Sequence, residues 1–318
     1  MVRSTFFIIG LLLASSLEAA SCPYTAGTTA RKAAAHHCDD LEPKARVASC
    51  RLGQELFSSK ELSFDRKASC ASCHLPQKDY GDAQARPELR GLGLSLSRTI
   101  RLSDVARRVA PYFWNGRAQS LEGAVFWPLY QKREMGADPE TLTKFGGGTK
   151  VALALSDYLS TLNSADAAWD RYLAGDCQAM SPKAIEGAKI FHASHCENCH
   201  LGAEFSGDQV VSYHYENLPQ DFFINEESRY GQDWELHTGS IKTDVTLKVK
   251  APSLRNLYAP FGQFGQGSDL FQYLESHEKQ VFTPENKSLS DTERSAIVHY
   301  LSEGLRSHPE SKKTEDHL

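Results

Sequence analysis

Apolar positions recur with helical spacing through much of the chain. Val151, Ala154, Leu155, Tyr158, Leu159 and Leu162 stand at i, i+3, i+4, i+7, i+8 and i+11, which puts all of them on one face of a helix. Ser290 and Glu293 have the spacing of a capping box ahead of a helix carrying Ile297, Tyr300 and Leu301. Leu270, Leu274 and His277 fall at i, i+4 and i+7, so His277 is predicted on the apolar face of a third helix. Strand-like alternation is scarce, and the fold class read from the pattern is mostly α. Residues 306–318 are charged, lack a core face and read as a frayed tail.

The pattern also repeats. Leu52-Gly53-Gln54-Glu55-Leu56-Phe57 is echoed by Gly187-Ala188-Lys189-Ile190-Phe191, and Ala110-Pro111-Tyr112-Phe113 by Ala259-Pro260-Phe261. Duplication of one unit is the economical explanation. The boundary between the copies is expected near Gly146-Gly147-Gly148 or within the helix that follows.

The first apolar run is of another kind. Met1-Val2-Arg3, then Phe6 to Ala14, then small residues before Cys22 have the layout of a secretory signal peptide, and the run is too short to span a bilayer as a helix. Residues 1–21 are therefore expected to be removed and the mature chain to be periplasmic. Lipoprotein anchoring at Cys22 is disfavoured, because Ala19 stands where such signals usually carry Leu.

Length and composition narrow the classes. The 318 residues leave room for two domains of ordinary size, and 41% hydrophobic with 24% charged residues excludes wholesale disorder and a polytopic membrane protein. Lys and Arg number 35 against 40 Asp and Glu, so the basic footprint of a nucleic-acid binder is missing.

The cysteines supply the chemistry. Cys70-Ala71-Ser72-Cys73-His74 and Cys196-Glu197-Asn198-Cys199-His200 are two copies of Cys-x-x-Cys-His, the attachment pattern of covalent c-type haem. Two thioethers fix the porphyrin while the adjacent His is held beneath the iron. A zinc site would not need His directly after the second Cys both times. Cys22, Cys38, Cys50 and Cys177 remain, an even number that suggests two disulfides in an exported protein; three pairings are open. They are expected to staple an amino-terminal extension, residues 22–50.

From about Leu52 to Glu278 the chain resembles the diheme bacterial cytochrome c peroxidase family, whose relatives include MauG-type enzymes that oxidise a partner protein. The resemblance rests on the haem motifs, on Leu52-Gly53 with Leu56-Phe57, on Phe113-Trp114-Asn115-Gly116-Arg117-Ala118 with Ser120-Leu121-Glu122, on Pro128 with Glu134-Met135-Gly136, and on Ala251-Pro252-Ser253-Leu254-Arg255-Asn256. It implies two cytochrome c-like haem domains, residues 51–165 around a peroxidatic haem at His74 and residues 166–305 around an electron-transfer haem at His200. By the same resemblance Trp114 relays charge between the haems, Glu134 is the distal acid and Pro128 shapes its pocket. Heterolysis of peroxide moves a proton from the inner to the outer oxygen, which a carboxylate within hydrogen-bond reach can carry. Arg255 is expected to pair with a haem propionate, since a guanidinium suits a carboxylate bidentately.

Several positions depart from the family pattern. Ala124 stands where a glutamine usually lines the distal pocket. No histidine occurs between His74 and His192, and Arg90 lies in the vicinity where many of these peroxidases carry a displaceable distal His, so the iron at His74 is expected to be open at rest. Thr99 replaces an Asn that in the family helps hold an inter-domain calcium, and the facing Leu257-Tyr258-Ala259-Pro260 is shortened, which leaves one Ca2+ open. The family's distal ligand to the second haem is a Met or Tyr after His200; here His277 aligns at that place, with His214, His237 and Tyr273 in reserve. The implied activity is reduction of hydrogen peroxide with electrons from a small c-type cytochrome or cupredoxin, by a chain that can form a homodimer. MauG-like oxidation of a protein partner and a plain diheme carrier or sensor are the alternatives.

Overall fold

A computed structural model describes residues 22–24, 30–82, 84, 97–215, 245–262, 267–281 and 288–307. The signal segment 1–21, Arg90, His237, the side chain of His214 and the tail from 308 onward lie outside the described residues.

The described chain is helical with one small sheet. In order it forms α1 (Ala45–Ser58), α2 (Cys70–Cys73), α3 (Leu121–Tyr130), α4 (Pro139–Lys144), α5 (Gly148–Leu159), α6 (Ala168–Leu173), α7 (Pro182–Ala193), strands β1 (Val210–Tyr215) and β2 (Val245–Lys250), α8 (Leu270–Val281) and α9 (Asp291–His299). The strands pair antiparallel, with Val210 opposite Lys250 and Tyr213 opposite Leu247. The predicted cap is in place. Ser290 Oγ accepts the Glu293 amide at 3.3 Å, and the Glu293 carboxylate accepts the Ser290 amide at 2.8 Å, so two donors at the start of α9 are satisfied reciprocally.

Apolar side chains gather in two clusters. One draws on Leu56, Phe57, Leu62, Leu129, Val151 and Leu155 and ends with Leu162; the other takes Cys22 from the amino-terminal segment and, from Ala168 onward, joins Trp169, Phe191, Phe205, Ile297 and Tyr300. Each is organised by one close helix crossing. In the first, α1 meets α5 so tightly that a Cβ on Gly53 would stand 1.9 Å from the Ala154 carbonyl oxygen; in the second, α7 meets α9 with a Cβ on Gly187 1.9 Å from the Ala296 carbonyl oxygen. Only glycine allows backbones so near. The echoed Ala-Pro segments correspond as well, since Tyr112 bridges to Ala118 and Phe261 to Gly267. The Gly146–Gly148 turn opens α5, which supplies the face that α1 packs on in the first cluster.

Of the three disulfide pairings the structure has Cys22–Cys177 and Cys38–Cys50. Between these two bridges Arg31 enters the seam. Its guanidinium donates to Asp104 beside the first cluster and, at 3.0 Å, to Glu204 beside the second, with Ser164 Oγ at 3.2 Å. Arg31 and Asp104 are both nearly inaccessible, their side chains 4% and 2% exposed. Arg107 reaches the same Glu204 at 2.9 Å. Further along the seam Arg101 donates to the backbone carbonyls of Ser253 at 3.0 Å, Arg255 at 2.7 Å and Asn256.

Candidate functional site

Each Cys-x-x-Cys-His motif is a single tight turn that ends on its histidine. In the first, α2 carries both cysteines and the His74 amide donates back to the Cys70 carbonyl at 2.9 Å; in the second, the His200 amide donates to the Cys196 carbonyl at 3.0 Å. All four motif cysteines are unpaired and half-buried, and burial pushes the Cys70 and Cys196 thiols up to about 12. The imidazoles are anchored alike. His74 Nδ1 lies 2.9 Å from the Tyr80 carbonyl, and His200 Nδ1 lies 3.0 Å from that of Pro252 and 3.3 Å from that of Phe205. A carbonyl can only accept, so Nδ1 carries the proton and Nε2 keeps a lone pair for a metal. Burial lowers the pKa of both rings, which favours the neutral form that a metal binds.

Beyond His200 stands a second imidazole. His277, on α8, has its ring centroid 6.4 Å from that of His200. Metal–imidazole bonds of about 2 Å on each side, with the radii of the two rings, account for that separation, so the pair fits one iron held between them. Leu270 and Leu274 pack into the second cluster and bring His277 with them, as the helix phase predicts. Burial first, then the neighbouring His200, lowers His277 to about 4. Glu278, the next residue, is buried and tied to Arg294 of α9 at 2.5 Å, which fixes the helix at this point. Tyr273 lies one turn before His277, with the rings 6.1 Å apart.

The surroundings of His74 differ. Helix α3 is capped by Ser120, whose Oγ accepts the Gly123 amide at 3.0 Å, and carries Pro128 in its last turn. Pro128 has no N–H to continue the helix, and the chain folds back on it. The Met135 amide donates to the Pro128 carbonyl at 3.1 Å and the Ala137 amide to that of Leu129 at 2.7 Å, with Gly136 at φ +58° allowing the turn. Glu134 rides on this turn, exposed, and its charge contributes to raising the Cys70 and Cys73 thiols after the larger effect of burial. The carboxylate therefore lies on the side of the first haem motif. Ala124, where the family's glutamine would stand, is half-buried on the same helix.

Trp114 occupies the seam. The Tyr112–Ala118 bridge closes the loop that presents it, its indole Nε1 donates to the Arg98 carbonyl at 3.2 Å, and its own carbonyl accepts the Lys250 amide from the end of β2 at 2.7 Å. Arg98 turns its guanidinium toward the Tyr258 ring, 5.5 Å from the centroid, and Arg101 lies at the same distance. Thr99 Oγ1 donates to Asp82 at 2.7 Å, and Tyr258 donates to the Lys78 carbonyl at 2.8 Å. Two guanidiniums thus flank the segment where the resemblance left a calcium open.

Arg255 is engaged within the protein. Instead of presenting a free fork it makes a bidentate pair with Asp170, 2.8 Å and 2.7 Å, and gives Nε to the Ala203 carbonyl at 2.7 Å. Both side chains are buried, 2% and 5% exposed. The carboxylate that the fork meets is that of Asp170, which also caps α6 through the Ala167 amide at 2.8 Å. Asp170, Arg31, Arg101 and Tyr213 were not singled out in the sequence; none has a spacing relation to its partner.

The likenesses agree with this geometry. The family model of the di-haem cytochrome c peroxidase matches residues 47–147. The methylamine utilization protein MauG of Methylorubrum extorquens is 29% identical over 81% of this chain and 78% of its own. The cytochrome c551 peroxidase of Pseudomonas aeruginosa is 27% identical over 68% and 67%. Among solved structures, the diheme peroxidase BthA of Burkholderia thailandensis superposes with a TM-score of 0.60 at 19% identity, over 82% of this chain and 86% of that one, which supports the fold. The family-model match contains the first haem motif, and the matches to the MauG proteins, over 79% and 81% of the chain, run across both, so the chain is similar to di-haem cytochrome c peroxidases and to MauG-type proteins.

Proposed function

We propose that this chain is a periplasmic peroxidase that reduces hydrogen peroxide at the haem of His74 with electrons received at the haem of His200. The observation that carries the reading is an asymmetry between the two motifs. His200 has the imidazole of His277 facing it, whereas the sequence offers no histidine between His74 and His192, and a carboxylate, Glu134, stands on the side of Cys70 and Cys73 instead. Bound haem supplies the iron that takes peroxide and the redox capacity to reduce it.

The protein's own groups do the rest. Cys70, Cys73 and His74 hold one haem; Cys196, Cys199, His200 and His277 hold the other. Glu134 would take a proton from the inner oxygen of peroxide and return it to the outer oxygen, which would leave as water. Pro128 keeps the turn that carries Glu134 in place. Trp114, with its indole hydrogen-bonded at the seam, is the oxidisable side chain between the haems. Two cytochrome c-like units, 51–165 and 166–305, match the division of the apolar clusters between Leu162 and Ala168. The donor is a small c-type cytochrome or cupredoxin. Calcium has no part in this reading, since Arg98 and Arg101 would repel a divalent cation beside Tyr258.

The test uses the haem-loaded protein with peroxide and a reduced c-type cytochrome. Donor is consumed in proportion to peroxide, and Glu134→Gln slows consumption by about 10²–10⁴-fold. Absence of any spectral response to stoichiometric peroxide would reject the enzyme in favour of a carrier. A MauG-like role has specific support, because relatives named MauG match across about four fifths of the chain (79% and 81%); it is favoured if the donor stays inert while an oxidised state of the protein persists.

A further inference from the structure

His277 takes its hydrogen bond from outside its own helix. The Tyr213 hydroxyl, on β1, lies 3.1 Å from His277 Nδ1, and the two rings stack with centroids 5.6 Å apart and planes 21° apart. Tyr273 stacks on the same imidazole, at 6.1 Å and 19°. The two phenols are themselves hydrogen-bonded to each other. The contrast with the proximal side is chemical. His74 and His200 give Nδ1–H to carbonyls, which can only accept, whereas a phenol can accept or donate.

The direction of that bond decides whether His277 can bind iron. If Tyr213 donated to Nδ1, the neutral ring would carry its proton on Nε2 and have no lone pair for a metal there. If His277 donates Nδ1–H to Tyr213, Nε2 is free, and Tyr213 has its own hydrogen left for Tyr273. Ligation of iron through Nε2 requires the second arrangement, and the Tyr213–Tyr273 contact gives the phenol hydrogen it leaves over an acceptor. A chain of hydrogen bonds from His277 through Tyr213 to Tyr273 strengthens each member, and donation from Nδ1 makes the imidazole a better electron donor to a metal at Nε2.

We propose that Tyr213 is the positioning residue of the second haem: it sets the tautomer and orientation of His277 and, by enriching the imidazole, holds the haem of His200 at a lower reduction potential. The proposal rests on the reading of His277 as distal ligand. It gives the β1–β2 pair a purpose, because β2 ends on the carbonyl of Trp114 and β1 carries the group that tunes the haem on the far side of the relay. A lower potential there favours the oxidised form of the haem that hands electrons toward His74.

Tyr213→Phe keeps the stacked ring and removes only the hydroxyl. In the haem-loaded protein the spectroelectrochemical midpoint of the low-spin haem is expected to move positive by roughly tenfold in the ferric-to-ferrous equilibrium, about 59 mV for one electron. The low-spin electron paramagnetic resonance signal persists with altered g-values, and the signals of the haem at His74 are unchanged. Tyr273→Phe shifts the midpoint in the same direction by less, and supplies the same readout should Tyr213→Phe not accumulate as folded protein. His277→Gly separates the two claims. If it leaves the low-spin signal intact, His277 is not the ligand and the earlier reading falls. If it abolishes that signal while Tyr213→Phe and Tyr273→Phe keep the wild-type midpoint, the ligand stands and the role of Tyr213 is overturned.

Discussion

Replacing Arg255 by Leu distinguishes a structural arginine from one reserved for a haem propionate. The guanidinium is bound to Asp170 through two charge-assisted bonds of 2.7 and 2.8 Å, with both side chains almost wholly inside. Removing one partner of such a pair costs about 3–5 kcal/mol, because the other charge stays buried without compensation. With about 2.1 cal/mol/K of unfolding entropy per residue, 1 kcal/mol shifts the thermal midpoint of a 318-residue chain by about 1.5 °C, so Arg255→Leu lowers it by roughly 4–8 °C. Asp170→Asn is milder. The amide keeps the α6 cap, and Arg255 still has Glu204 at 3.4 Å, which leaves a loss of about 1–3 kcal/mol. Glu204 retains Arg31 and Arg107 in either variant. The decisive molecule is the double variant, Arg255→Leu with Asp170→Leu, in which no charge is stranded. Its midpoint recovers well above the sum of the single losses, a coupling of about 1–3 kcal/mol in the cycle. Melts followed by circular dichroism on the haem-loaded protein measure all four members. Strictly additive losses would refute the pairing as Arg255's main role and return the propionate to contention.

Three further expectations rest on the same description. Ala at Gly53 or Gly187 forces a Cβ against a carbonyl 1.9 Å away and destabilises its own unit by about 1–3 kcal/mol or more; a wild-type melt for either variant would contradict the helix crossings. Asp104 is pushed up by burial, but Arg31, Ser164 and Arg108 outweigh this and hold it below its ordinary value. Its contribution to stability is therefore complete above about pH 3.9 and is lost as pH falls through the lower folded value. Urea midpoints should decline in that acid range, and Asp104→Asn should flatten the decline; a decline of equal slope in the variant would assign it to other carboxylates. Exhaustive chelation should leave the haem spectra and the transfer between haems unaltered, with restoration by added Ca2+ after a loss as the contrary result.

What was legible in the sequence follows from the range over which each feature is determined. Haem attachment is fixed by consecutive residues, so Cys70 to His74 and Cys196 to His200 could be read directly. Helix phase operates over two or three turns, enough to put His277 with Leu270 and Leu274 and to predict the Ser290–Glu293 cap. The repeated Gly and Phe signalled duplication, although not that each Gly marks a helix crossing. Partners distant in sequence were out of reach: Asp170 lies 85 residues from Arg255, and Tyr213 lies 64 from His277. The strand pair was missed for a related reason. Val245, Leu247 and Val249 alternate with Thr246, Lys248 and Lys250, a fair strand signal, but its meaning depends on a partner about thirty to forty residues earlier, as the Tyr215–Val245 and Val210–Lys250 pairs show.

The Cys22–Cys177 bridge spans 155 positions, a loop that contains the first haem motif and stops before the second. A single proteolytic cut anywhere inside that loop would yield two fragments, one bearing Cys177 and the haem of His200 and the other bearing Cys22. Whenever the cut falls beyond His74, the second fragment also holds the other haem, and the sulfur bridge keeps the two joined. The continuity between the segments that carry the two motifs is thus doubled, once through the backbone and once through sulfur. A molecule nicked beyond His74 would run as two haem-staining bands on a reducing gel and as one band on a non-reducing gel.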